Sequence, residues 1–289
     1  MFDQAKTTFD AYARKRVSFV LVTKNRGKNL DETLARSKAL IRPQDELVIV
    51  DGGSQDETAA VIEKYRDLVD VFVTEPDMHA MHAHNKAILL ASGTYVRLLT
   101  DNDIFHPEGI ETAVRVMEEN PEIDLLLCGG VKEYRGRKRP VYVPPGADYG
   151  KKPEDAFIYR GADTGVGHFI RRSAFAKAGL IGVTVNADKE FVLRCIASGC
   201  TVRFARINSY HHILSDDSLV LRSGARHRAD TVRLAKMYCS PSFYWRYRIK
   251  TLFKETKFLQ PWYLLYLGVI RRFRPPAPKI EYIWDGGLS

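Results

Sequence analysis

The sequence predicts an α/β domain, a mostly parallel sheet flanked by helices, with a basic helical appendage at its C-terminal end. Three observations carry that expectation. Apolar segments of strand length alternate with segments of helix length from Val17 to about Asp217, as a parallel sheet built from crossover units requires. The chain has 289 residues, 45% of them hydrophobic, enough for one large domain and an extension. Charge is unevenly spread: residues 1–140 carry 20 Lys/Arg against 23 Asp/Glu, and residues 141–289 carry 24 against 12. The net charge of +9 therefore belongs to the C-terminal half, which suggests an anionic partner surface, nucleic acid or phospholipid. The expected division is an N-terminal extension over 1–16, an α/β domain over 17–217 split at 105/106, and the appendage over 218–289.

Several classes are set aside at once. The longest apolar runs are strand-sized, so none reads as a bilayer-spanning helix. Met1 to Arg16 is polar and offers no signal-peptide core. Cys128, Cys195, Cys200 and Cys239 lack C-x-x-C spacing and read as reduced structural thiols. A cytoplasmic protein is expected, peripheral on the inner membrane face if the appendage docks there.

In chain order, Val17–Thr23 reads as a first buried strand and Leu47–Val50 as a second, with a helix bearing Leu30, Leu34 and Leu40 between them. Ser54 and Glu57 have the spacing of a capping box for a helix through Val61, Ile62 and Tyr65. Val71–Val73 is a short strand, His79–Leu90 a helix, and Gly93–Leu99 a strand ending at Asp101-Asn102-Asp103. Glu108–Glu119 reads as a helix and Ile123–Cys128 as a strand. Arg135-Gly136-Arg137-Lys138-Arg139 is a basic turn in a hairpin running to Val143, read as a solvated loop.

Two carboxylates one residue apart at a strand's carboxyl end lie where open α/β sheets bind ligands. They suit a hard divalent cation riding on a substrate diphosphate. Ser18–Arg26, Val50-Asp51-Gly52-Gly53-Ser54 through Thr58, Asn85-Lys86 ahead of Ala91-Ser92-Gly93, and Asp101-Asn102-Asp103 occur in one order across residues 17–105. Together they resemble a family 2 glycosyltransferase of the Rossmann-like GT-A fold. The resemblance implies that Thr23, Asn25, Arg26, Asp51, Asp77, Lys86, Asp101 and Asn102 hold a nucleotide diphosphate sugar, a UDP-sugar being favoured. It implies Mn2+ or Mg2+ on Asp101 and Asp103, completed by His211 or His212. Adjacent strand residues face opposite ways, so the sequence leaves open which histidine points inward.

One departure stands out. Where such enzymes often carry an acid and an aromatic before the matching Asn85, this chain has His79, His82 and His84. His79 and His82 share a helix face and His84 does not, so histidines lining the donor pocket, or half-exposed on the helix, are expected rather than a transition-metal site. Gly165–Arg172 resembles the family's acceptor-side segment. Asp188 sits in the first turn of a helix, where the dipole favours a carboxylate, and the family pattern implies that it is the general base.

The appendage interleaves Lys/Arg with aromatics, including Trp262, Tyr263 and Tyr266; from Arg203 to Lys279 there are 16 Lys/Arg against 4 Asp/Glu. This suits a helix on an anionic membrane surface, with packing against a second copy of the chain as the plainer alternative and nucleic acid the least expected. The expected activity is inverting transfer of a sugar to a hydroxyl acceptor, a glycan or a lipid-linked one. A sugar nucleotidyltransferase would show a Gly-rich phosphate loop where Thr23-Lys24-Asn25-Arg26-Gly27 stands. A degenerate module binding glycan or lipid would not be expected to keep Asp51, Asp101, Asp103 and Asp188.

Overall fold

The computed structural model describes residues 16–141, 150–158, 162, 164–216, 218, 223–256, 261 and 265. The elements run β1 (Val17–Thr23), α1 (Gly27–Ser37), β2 (Glu46–Asp51), α2 (Thr58–Lys64), β3 (Val71–Thr74), α3 (Ala80–Leu90), β4 (Tyr95–Leu99) and β5 (Ile104–Phe105). Then come α4 (Pro107–Glu119), β6 (Leu125–Tyr134), β7 (Arg137–Val141), β8 (His168–Arg171), α5 (Ala174–Ala178), α6 (Ala187–Ala197), β9 (Val202–Leu214), α7 (Gly224–Tyr238) and α8 (Pro241–Glu255).

These strands form one sheet in the order β3-β2-β1-β4-β8-β6-β9-β5, with β7 paired to β6. The first four are parallel, and the near-continuous burial of β1, β2 and β4 fits strands covered on both faces. Beyond β4 the sheet is mixed: β8 is antiparallel to both neighbours, β6 and β9 are parallel, and β5 is antiparallel to β9. So "mostly parallel" describes the N-terminal half, and the second half is mixed.

Alternation sorts the side chains of each strand into two layers. Val20, Val48, Val50, Val96 and Leu98 pack against α3, α5 and α6. Phe19, Leu21, Leu47, Ile49 and Leu99 pack against α1, α2 and α4. Helix α4 gains a rigid start from Pro107 at its first position. Arg97 is the exception within β4. It is fully buried, its guanidinium 4.6 Å from the Phe169 ring centroid and 5.6 Å from that of Phe105, donating to Ser209 Oγ at 3.2 Å. Burial draws its pKa down to about 10, so it stays charged at neutral pH.

Two local expectations are corrected. Ser54 does not cap α2: its hydroxyl bonds Asp51, and Asp56 Oδ1 accepts instead from Thr58 N. The sequence reads no strand at β5 or β8, and both are short strands of the sheet, while β9 runs without a break from Val202 to Leu214. Residues 142 and 143 of the expected hairpin lie outside the described residues. All four cysteines are free thiols, three of them buried. Among the described residues no helix is long and apolar enough to cross a membrane. Asp217, Trp262, Tyr263 and Tyr266 lie outside the described residues.

Gly109 marks where α4 meets β9. A Cβ there would overlap the Asn208 carbonyl and lie 3.0 Å from Ser209 Cα. Backbone cannot rotate away as a side chain can, so Gly109→Ala should destabilise the fold by about 1–3 kcal/mol, the usual cost of overpacking. Urea unfolding should show the midpoint falling with an unchanged slope; an unshifted midpoint would mean that the contact yields freely.

Candidate active site

The strand-end acids do different things. Asp103 is 1% exposed. Its oxygens accept from Ile213 N at 2.8 Å and from Thr100 Oγ1 at 2.6 Å, and lie 2.8 and 3.0 Å from His212 Nδ1. With the proton on Nδ1, His212 donates to Asp103 and keeps its lone pair on Nε2. Asp103 thus ties the end of β4 to β9 and fixes the orientation of His212, as carboxylates behind metal-bound histidines do. Asn102 Nδ2 makes a parallel tie, donating to the Ile213 carbonyl at 2.8 Å.

Asp101 faces the cleft instead. Burial raises its pKa, and the Arg26 guanidinium, 3.5 Å away, pulls it back down. His211 goes to the other side of β9, its Nε2 2.8 Å from Glu133 Oε2. The sequence left open which of His211 and His212 turns inward, and strand alternation brings His212, not His211, to Asp103.

Asp101 shares a cleft of about 880 Å³ with Asp188, which stands in the first turn of α6. The backbone at Gly165 lies so close that a Cβ would sit 2.5 Å from Asp188 Oδ1, so only glycine admits the carboxylate there. Arg26, Asn102 and His212 line the same cleft, with Val183, Thr184 and Val185 as part of its rim. That rim is held from outside. Asp230 Oδ2 of α7 accepts from Thr184 Oγ1 and, at 3.1 Å, from Asn186 N. Nothing in the local sequence announces Asp230, which is more than 40 residues from its partners.

A smaller adjoining cavity of about 340 Å³ is lined by Thr23, Arg26, Asp77 and Asp101. Lys86 lies behind it, its Nζ 3.1 Å from Asp77 and 2.7 Å from Glu75. Asp51 is buried, holding Ser54 N at 3.0 Å and Thr74 Oγ1 at 2.7 Å. Asn25 takes a left-handed conformation (φ 52°) and accepts from Gln55 N at 2.9 Å. Asp51, Asn25 and Lys86 therefore brace the loops here and do not line either cavity.

The three histidines separate. His79 caps α3, its Nδ1 accepting from His82 N at 3.0 Å. His82 turns towards Asp77, 3.9 Å away. His84 lines the cleft. Among the described residues no three His, Cys, Asp or Glu side chains converge as a preformed metal cage, these histidines included.

Known proteins share this architecture. The Glycosyl transferase family 2 pattern matches residues 18–178, more than half of the chain. The chain belongs to glycosyl transferase family 2. An uncharacterized glycosyltransferase of Rickettsia typhi is 22% identical over 223 residues, 76% of this chain and 66% of that one. Among solved structures, S. aureus TarS superposes with a TM-score of 0.58 at 17% identity, over 76% of this chain and 64% of that one. The mannosyltransferase PcManGT of Pyrobaculum calidifontis, solved with GDP-Man and Mn2+, gives a TM-score of 0.60 at 17% identity, over 91% and 76%. At these identities the likeness establishes the GT-A fold. The chain spans just under two thirds of the length of the Rickettsia relative and of the TarS structure.

Within this family 2 site His84 has a measurable signature. Its Nδ1 is buried without a hydrogen-bond partner. Burial lowers its pKa to about 4, against the opposing pull of the Asp188 and Asp77 carboxylates. The folded chain takes this proton only near pH 4, the unfolded chain near 6.5. Stability from this group is therefore complete above pH 6.5 and is lost as pH falls towards 4. In His84→Gln the drop in urea midpoint between pH 7 and pH 5 should be smaller than in the parent, and an equal drop would show that His84 titrates normally.

Proposed function

We propose that this family 2 glycosyltransferase moves a sugar, with inversion, from a nucleoside diphosphate donor to a hydroxyl on a glycan or lipid-linked acceptor. One observation carries the reading: a single cleft is lined by Asp101 and His212 and also by Asp188. Donor and acceptor chemistry can meet there without either set of groups moving far.

The smaller cavity receives the nucleoside, with Thr23 and Arg26 on its wall and Asp51 and Asn25 shaping the loops around it. Arg26 reaches both cavities, so it is placed for the diphosphate as well as for Asp101. Asp101 and His212, the latter held in place by Asp103, would hold a divalent cation, Mn2+ or Mg2+, whose chemistry there is Lewis-acid neutralisation of the departing diphosphate. The donor set fits such an ion. Asp101 has only Arg26 to balance it, His212 has a nitrogen lone pair left over, and a cation arriving on a diphosphate needs only one or two protein carboxylates. Fold neighbours support the class of donor: TarS has been solved with UDP-GlcNAc, and a mycobacterial glucosyl-3-phosphoglycerate synthase with Mn2+ and UDP. A UDP-sugar is the favoured donor.

Asp188 then acts as general base. It accepts the proton of the acceptor hydroxyl while that oxygen attacks the anomeric carbon from the side opposite the leaving diphosphate. Transfer assays across a panel of nucleotide sugars, with and without manganese, test the whole scheme. Asp188→Asn should lose about a hundredfold or more in turnover, within the usual range for lost general-base catalysis, with donor affinity by calorimetry unchanged. Collapse of donor affinity would make Asp188 a donor-site residue, and full activity of Asp103→Ala in EDTA would remove the metal from the scheme.

For the appendage we propose an anionic membrane surface. The outward face of α8 exposes Trp245, Ile249 and Leu252 beside Arg246 and Lys250, and α7 with α8 carries eight Lys/Arg against two Asp/Glu. Apolar side chains flanked by cations suit the headgroup boundary, where each cation contributes on the order of 1 kcal/mol. The full chain should co-sediment with vesicles containing anionic lipid, less so in high salt and less so as Trp245→Glu. A chain that ignores vesicles but forms a dimer disrupted by Trp245→Glu would make α8 a subunit interface.

A further inference from the structure

The basic hairpin, read from sequence as a solvated loop, has a face that the transfer chemistry has not used. Lys132 of β6 stands directly opposite Arg139 of β7, while Glu133 stands opposite Lys138. The second pairing is an ordinary ion pair at 3.8 Å. The first sets two cations across from each other, so the pairing itself gives Arg139 no counter-charge.

The register shows where this face points. β6 runs beside β9 with Lys132 level with His212 and Tyr134 level with Leu214. His212 and Leu214 line the cleft. Residues level with one another across a sheet share a face, so His212, Lys132 and Arg139 form one row, and Leu214, Tyr134 and Arg137 the next. Glu133, His211 and Lys138 take the other face, as the contact between Glu133 and His211 requires. Strands lie about 4.8 Å apart, which sets Arg139 about 10 Å from the cleft wall. Arg137 and Arg139 are exposed, and neither makes an ion pair or side-chain hydrogen bond among the described residues. The nearby acid Asp216 is spent on the hairpin turn, 3.1 Å from Arg135 and 2.8 Å from the Tyr134 hydroxyl.

We propose that this cationic face docks a phosphate group carried by the sugar acceptor, holding the acceptor so that its hydroxyl extends along the row into the cleft. Guanidinium forks match phosphate oxygens two at a time, and two of them on alternate residues of one strand face present four such donors together. The word acceptor rests on the transferase reading; the phosphate site itself does not.

Calorimetry on the full chain saturated with UDP and Mn2+ tests it. The probes are glucose 6-phosphate for a soluble phosphate, farnesyl diphosphate below its micelle concentration for a lipid-borne one, and glucose as the uncharged control. At least one phosphate probe should bind where glucose does not, and the tighter of the two identifies the source. Arg139→Ala should weaken that binding fivefold or more. Lys138→Ala removes the same charge from the same strand but from the other face, and should stay within twofold of the parent. UDP affinity should be unchanged in both variants. The proposal is overturned if neither probe binds, if Arg139→Ala binds like the parent, or if Lys138→Ala loses as much as Arg139→Ala. Should the parent fail to bind UDP with Mn2+, the donor reading fails instead. The same titrations on the nucleotide-free chain would then still score the phosphate site.

Discussion

A carboxylate sealed from water must have its oxygens satisfied within the protein, and the fold around the cleft is arranged to do this for Asp103. Its partners come from three places: Thr100 in the same turn, the Ile213 amide of β9, and the His212 ring. Two of them are about 110 residues downstream, so the end of β4 cannot be completed until β9 is in register. Leaving one of these groups unpaired would cost about 1–3 kcal/mol, and more for a charged one. That is enough to make the register of β9, and with it the inward turn of His212 and the outward turn of His211, a single cooperative choice. Even the short β5 belongs to it, since Ile104 and Phe105 pair with His211 and Tyr210.

The electrostatics of the cleft follow from that arrangement. Asp103 is spent on structure, so Asp101 is the acid left facing the space, with its charge only partly met by Arg26. In the same cleft Asp188 brings a second negative charge, and His84, which could have balanced it, is held neutral by burial. Such a space is incomplete without added positive charge. A metal-bearing diphosphate brings the ion with it, so the donor and the charge it needs would enter together.

Much of this was legible in the sequence. The parallel half could be read because strands buried on both faces are continuous apolar runs, as in Val17–Thr23 and Glu46–Asp51. The place of Asp188 in the first turn of a helix could be read locally, whereas its expected role as base came from the family resemblance. The mixed half was harder, because β5 and β8 are short and are defined by partners far along the chain. Ser54 misled for a related reason: its spacing to Glu57 is right for a cap, yet a buried acid, Asp51, claims the hydroxyl first. The choice between His211 and His212 needed the register of β9, which no local pattern contains. Arg97 reads as an unremarkable interior strand position until its aromatic neighbours are assembled around it.

The charge asymmetry of the chain also acquires a structural meaning. Asp230 is the one acid of α7, and it is turned inward to hold Thr184 and Asn186 at the rim that leads into Asp188. The Tyr238 hydroxyl, at the end of the same helix, donates to Glu190 Oε1 at 2.9 Å, two residues beyond Asp188. The basic appendage is therefore not a tether hung on a finished domain, since its first helix braces the segment that leads into Asp188. A load applied to α8, which packs on α7 and, through Phe243 and Tyr247, on Phe157, must be borne by the groups that position the Asp188 carboxylate. A surface that captured α8 would thereby also set the direction in which the cleft faces it.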